Sequence, residues 1–131
     1  LIVKKREILD ISGIDDVEQL AESLKVFVDQ SRANDKKLAV WGAGHRTLAL
    51  LSIAKISDIS FIVDSADFKQ GKYSPVMHSK IVSPQALAES DVDIVIVMVP
   101  GLYPNEVVKK IRSFSRKFEI YKLQDNNLLE V

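Results

Sequence analysis

Apolar residues fall along the chain in blocks, some spaced at helical steps and some in unbroken runs. From Asp15, the residues Val17, Leu20, Ala21, Leu24, Phe27 and Val28 recur every three or four positions, with Asp15 placed as N-cap and Glu18 three residues on. This spacing predicts an amphipathic helix ending near Arg32. Lys37 to Gly42 is a short apolar run closing on glycine. After Gly44 the chain turns helical and almost wholly apolar, with Leu48, Leu50, Leu51, Ile53 and Ala54. A strand, a tight turn and a buried helix follow from that order. Ile59 to Val63 is a β-branched run that stops at Asp64, and Phe68 to Pro75 is rich in turn formers, so a second strand leads into a long loop. Ser83 before Pro84 predicts a short helix through Glu89, because serine caps free N–H groups and proline's fixed φ suits the first helical position.

Asp93 to Val99 reads as a continuous apolar strand, the pattern of a parallel sheet covered on both faces by helices. Pro100 and Gly101 end it. Pro104 then opens a helix whose Val107, Val108, Ile111 and Phe114 form an inward stripe, and Phe118 to Leu123 reads as the last strand. After Gln124 the tail is polar, then carries Leu128 and Leu129. The opening stretch, residues 1–14, mixes Lys4, Lys5, Arg6 and Glu7 with Ile8, Leu9 and Ile11 without period, and reads as an incoming linker.

Strands alternating with helices, joined by right-handed crossovers, define an α/β fold. The expectation is a three-layer, Rossmann-like doubly wound sheet of about five mainly parallel strands, forming a single domain over residues 15–131. The first strand should be central. The ligand crevice should then lie beyond the carboxyl ends of the strands, between the loop at Gly42 to Thr47 and the loop at Pro100 to Tyr103.

Composition narrows the function. At 131 residues the chain makes one domain, and 47% apolar with 27% charged residues is ordinary for a folded protein. Eighteen Lys plus Arg balance eighteen Asp plus Glu, which leaves no global field to attract nucleic acid or an anionic membrane. The apolar runs fall short of the roughly 20 residues that span a bilayer. With no cysteine there is no disulfide, thiolate zinc site or nucleophilic thiol, and His45 and His78 are the only imidazoles, so no metal site is expected. The N-terminus lacks a secretory pattern, which makes the cytoplasm the expected compartment. The first residue is Leu1 rather than Met, which suggests a piece of a longer protein.

The turn Gly42-Ala43-Gly44-His45-Arg46-Thr47 follows a strand and opens a helix, so backbone N–H groups and the helix dipole favour an anion above it. Asp64, at the end of the second strand and 20 residues beyond Gly44, is placed to accept hydrogen bonds from a ribose diol. Together they half-match a dinucleotide fingerprint, whose third glycine is replaced here by Thr47. Two readings stand: a phosphate or nucleotide contact, or a plain strand-to-helix turn with Asp64 capping a loop. An S-adenosylmethionine site is not expected here, since Val40 and Trp41 hold the strand end where an acid usually stands. His45 reads as a ligand or interdomain contact. Arg46 reads as a phosphate contact or a solvated charge, and Tyr103 as a stacking residue or simple packing. His78 reads as a loop residue, and Lys109, Lys110, Arg112, Arg116 and Lys117 as a solvated face offsetting a helix dipole.

The segments VWGAGHRT, FIVDSADFKQGKYSP, KIVSPQAL and VDIVIVMVP resemble, in order and spacing, the C-terminal domain of sugar C-methyltransferases that act on nucleotide-linked keto-deoxysugars. The most specific part runs from Asp64 to Pro75, with Lys69, Gln70, Gly71, Lys72 and Tyr73, followed by Ile81-Val82-Ser83-Pro84. The resemblance implies a three-domain transferase: a zinc-binding N-terminal domain, a central domain that holds S-adenosylmethionine and the catalytic residues, and this segment last. In that chemistry a ketone acidifies a neighbouring C–H bond, a base removes the proton and the enolate takes the methyl group. No catalytic residue falls in this segment, which would bind no cofactor itself. Its implied part is recognition of the nucleotide sugar, with Gly42, Ala43, Gly44, His45, Arg46 and Thr47 near the diphosphate. Asp64, Lys69, Gln70, Gly71 and Tyr73 would lie near the nucleotide or sugar, with Pro100 and Tyr103 across the crevice. Its partners would be the nucleotide sugar and its own upstream methyltransferase domains. The alternatives are a stand-alone sensor of NAD or another nucleotide, and a purely structural interdomain module.

Overall fold

A computed structural model describes residues 15–74, 78–99, 103–124 and 127–131. The elements are α1 (Asp15–Ala33), β1 (Leu38–Trp41), α2 (His45–Ile53), β2 (Phe61–Val63), β3 (Ile81–Val82), α3 (Pro84–Ala88), β4 (Ile94–Val97), α4 (Tyr103–Arg112), β5 (Glu119–Gln124) and β6 (Asn127–Glu130). The strands form one sheet in the order β3-β2-β1-β4-β5-β6. β1 to β5 are parallel, and β6 returns antiparallel to β5. The Rossmann-like layout read from the sequence is therefore present, with β1 central and flanked by β2 and β4.

Two strands extend the expected sheet. β3 is only two residues long, and β6 lies in the tail that reads as polar. Both are edge strands: β3 is too short to print a run of apolar residues, and β6 carries only Leu128 and Leu129 between polar ends. The outer side of β3 is covered by the returning loop: the Gly71 N–H donates to the Ile81 carbonyl and the Ile81 N–H to the Lys72 carbonyl, both at 2.8 Å. This loop covers an edge that would otherwise be open to another chain.

The period-two alternation of β1 separates two apolar layers. Leu38 and Val40 pack into one cluster with Leu20, Leu24 and Val28 of α1 and Leu50 and Leu51 of α2. Ala39 and Trp41 pack on the other face with Leu87, Val108 and Ile111. Leu51 is fully buried, and truncating such a side chain to alanine costs roughly 2–5 kcal/mol. α2 is less buried than its composition suggests, because Ile53 points outward and is 51% exposed. Val17 is also exposed, so the buried stripe of α1 starts at Leu20.

Ser83 caps α3 as its sequence predicts, with its Oγ accepting from the Ala86 N–H at 3.2 Å. At the amino ends of the strands, ion pairs join Lys36 to Glu119, Lys37 to Asp91, Arg116 to Asp93 and Arg32 to Asp58. These charges precede β1, β2 and β4 and precede or open β5, at the opposite pole from the carboxyl ends of the strands. Among the described residues, no helix is long and apolar enough to cross a membrane.

Candidate functional site

β1 leaves the sheet at Gly42, whose φ of +125° is open to glycine and strained for other residues. A Cβ there would stand 2.6 Å from the Met98 carbonyl oxygen and 3.0 Å from Val99 Cγ1. The glycine is therefore required by the close passage of the turn over the end of β4. The Gly42 N–H donates to the Val63 carbonyl at 2.7 Å, and the Met98 N–H to the Trp41 carbonyl at 2.9 Å. The turn is thus held from both neighbouring strands, at the point where the winding of the sheet reverses.

Gly44 differs. Its backbone is extended, with φ −78° and ψ 166°, and it serves as N-cap of α2 without a side-chain cap. A Cβ built on Gly44 meets nothing within 4 Å. The first turn of α2, His45 to Thr47, contains no acid. The positive end of the helix dipole is therefore not offset by an acidic side chain of that turn.

Thr47 stands where a dinucleotide fingerprint has its third glycine, and the structure shows how the larger residue fits. Its side chain is buried, and its Oγ1 donates to the Met98 carbonyl at 2.8 Å, pinning α2 to the end of β4. Asp64 follows β2 with its carboxylate turned back on the chain. Oδ2 accepts from the Ala43 N–H at 2.9 Å and Oδ1 from the Ala66 N–H at 2.8 Å. The side chain remains 16% exposed. Lys69 Nζ donates to the Ala43 carbonyl at 3.2 Å and lies 3.8 Å from Asp64 Oδ2. Gln70 closes the loop by donating Nε2 to the Asp64 carbonyl at 2.9 Å.

A cleft of about 370 Å³ lies over this arrangement. Gly42, Gly44, His45, Arg46, Thr47, Asp64 and Lys69 line it, joined by Leu50, Met98, Val99 and Leu123. The polar and cationic groups thus gather on the β2 side and around the start of α2, and apolar side chains wall the β4 and β5 side. These four apolar residues escape a sequence reading, because each resembles an ordinary core position. The one available signal is their place at a strand's carboxyl end or in α2.

The remaining candidates stand apart from the cleft lining. Ala43 is buried beneath it, with both main-chain polar groups bonded to Asp64 and Lys69. Gln70 and Gly71 shape the loop, Gly71 through a φ of +84°. Tyr73 is exposed at the far edge, bridged to Lys80. Tyr103 begins α4 and is also exposed, and Pro100 lies outside the described residues.

A parallel sheet with β1 and β4 at its reversal point, a glycine turn between them and a cleft over that turn define a Rossmann-like α/β domain. The chain belongs to the C-methyltransferase C-terminal domain family, whose model matches residues 14–119. No curated protein sequence matches it. Among solved structures it is similar to UDP-D-quinovosamine 4-dehydrogenase from Vibrio fischeri, with a TM-score of 0.58 and 16% identity over 73% of this chain and 93% of that one. It is also similar to RSP, a Rex-family repressor, with a TM-score of 0.54 and 16% identity over 83% of this chain and 59% of that one. The same repressor in complex with β-NADH gives a TM-score of 0.53 and 18% identity over 84% of this chain and 56% of that one. At these identities the likeness is one of fold.

Proposed function

We propose that this chain is the substrate-recognition part of a C-methyltransferase acting on a nucleotide-linked keto-deoxysugar, and that it works joined to methyltransferase domains upstream of a linker at residues 1–14. The diphosphate would rest over the turn from Gly42 to Thr47, and the nucleoside would lie toward Asp64 and Lys69. The observation that carries the reading is the start of α2. It has no capping side chain and no acid in its first turn, it lies beside Lys69, and it opens on a cleft at Gly44, where a side chain would meet only open space. An anion is the ligand this electrostatic arrangement favours.

In this reading the two groups expected of the whole enzyme, S-adenosylmethionine and zinc, belong to domains other than this one. β1 ends on buried Val40 and Trp41, without the acid that S-adenosylmethionine calls for, and the sequence has no cysteine for a zinc site. Both groups are assigned to the upstream domains, with methyl transfer itself. In this reading the domain's contribution is binding energy: held by its diphosphate and base, the sugar carbon is presented to the catalytic domain in one orientation. The setting is cytoplasmic deoxysugar biosynthesis.

Calorimetric titration of UDP-glucose, dTDP-glucose and inorganic pyrophosphate into the chain tests the reading. Binding of a nucleotide sugar, weakened by competing pyrophosphate, is the expected result. Absence of heat with every nucleotide sugar, together with thermal protection by NADH, overturns it in favour of a dinucleotide sensor.

A further inference from the structure

Phe68 is 71% exposed, an apolar ring held in water next to Lys69, which lines the cleft. Its position is tied to the site through Lys69. The Lys69 ammonium lies 5.8 Å from the centre of the Phe68 ring, donates to the Ala43 carbonyl at 3.2 Å and lines the cleft. The ring therefore stands beside the cationic corner of the cleft, four residues past Asp64. A nucleoside whose ribose hydroxyls reach the end of β2 carries its base on the adjoining ribose carbon. The base then projects beyond Asp64 onto the segment that presents Phe68. Exposed aromatic rings stack on nucleobases with little regard to base identity, because every base has a π-face.

Resting on the nucleotide-sugar reading above, we infer that Phe68 is the stacking platform for the nucleobase. This orients the ligand: base over the β2 loop, diphosphate over the start of α2, and sugar toward the apolar wall of Met98, Val99 and Leu123. Nucleotide affinity then depends on a residue outside the glycine turn, and the tolerance of the site for uracil, thymine or adenine follows from stacking. Lys69 serves as the hinge between the two ends, since its ammonium touches the turn and faces the ring.

The test compares the parent chain with Phe68→Ala and Phe68→Trp by titration with UDP-glucose and with inorganic pyrophosphate, which has no base. Phe68→Ala is expected to weaken UDP-glucose by roughly 5- to 100-fold and to leave pyrophosphate unchanged. Phe68→Trp is expected to hold UDP-glucose within about 3-fold of the parent, with its fluorescence quenched as the base stacks. Circular dichroism of the variants confirms that the exposed substitution leaves the fold intact. Equal UDP-glucose affinity in the parent and Phe68→Ala overturns the platform while leaving the nucleotide-sugar reading in place. If the parent binds neither UDP-glucose nor dTDP-glucose, both fall together; if it binds only dTDP-glucose, the same comparison is read with that ligand. A parallel loss of pyrophosphate binding in Phe68→Ala also overturns the platform, since the residue would then act through the turn.

Discussion

The Ala43 main-chain N–H donates to Oδ2 of Asp64 at 2.9 Å, joining the turn after β1 to the residue that closes β2. Because the same carboxylate also accepts from Ala66, one side chain fixes both the floor of the cleft and the first bend of the following loop. Replacing Asp64 by alanine leaves two amide donors without their charged acceptor, and the expected cost is about 2 kcal/mol of unfolding free energy. Urea titrations of the parent, Asp64→Ala and Asp64→Asn check this. The asparagine variant, which keeps one acceptor oxygen, should lose less.

The two glycines of the turn should respond differently to a methyl group. Gly42→Ala places Cβ 2.6 Å from the Met98 carbonyl at a φ of +125°, so a loss of roughly 2–4 kcal/mol in stability is expected. Gly44→Ala meets no neighbour within 4 Å and should cost about 0.5–1 kcal/mol, the penalty of alanine at an N-cap. Thermal melts measure both. Gly44→Ala should nevertheless weaken UDP-glucose by about tenfold or more if the diphosphate approaches the turn as closely as proposed. Parent-like affinity in that variant would count against the proposed seat.

Thr47→Val tests the pin between α2 and β4. Valine keeps the shape and removes the donor to the Met98 carbonyl, so a loss of about 1–2 kcal/mol is expected by chemical denaturation. Thr47→Ser, which keeps the hydroxyl, should fall between the two.

Stability should fall at both ends of the pH range for separate reasons. Burial raises the Tyr121 hydroxyl above its ordinary 10.0, with the nearby Glu130 and Glu119 carboxylates adding to the shift. The hydrogen bond to Glu119 raises the Lys36 ammonium above 10.5. A pKa raised in the folded state gives stability that is complete below the unfolded value and is lost as pH climbs through the folded one. Asp91 is shifted the other way: its hydrogen bond to Lys37 lowers it below 3.8. Its contribution is present above that value and is lost as pH falls through the depressed one. Melting temperature followed against pH should show both limbs. Tyr121→Phe should flatten the alkaline limb and Asp91→Asn the acid one.

The legible parts of the fold were those where a layer is thick. β1 and β4 lie in the middle of the sheet with helices on both sides, so every residue is apolar and the run announces itself. β3 and β6 sit at the edges, where two to four residues in a ladder need no apolar run, and the sequence carries no comparable mark. The glycine turn was readable because both glycines and the spacing to Asp64 are matters of residue type. The direction of the Asp64 carboxylate, turned inward onto Ala43 and Ala66, is a matter of side-chain conformation, which residue type leaves open. Leu50, Met98, Val99 and Leu123 were hidden for a related reason: an apolar residue facing a cleft and one facing the core have the same composition.

The ion pairs gather where the strands begin and the cleft opens where they end. The charged pairs and the proposed recognition site therefore occupy opposite poles of the molecule. Substitutions at the mouth of the cleft would leave those ion pairs in place, and a tether attached at Val131, which pairs with Ile120 beside that charged pole, would leave the mouth unobstructed.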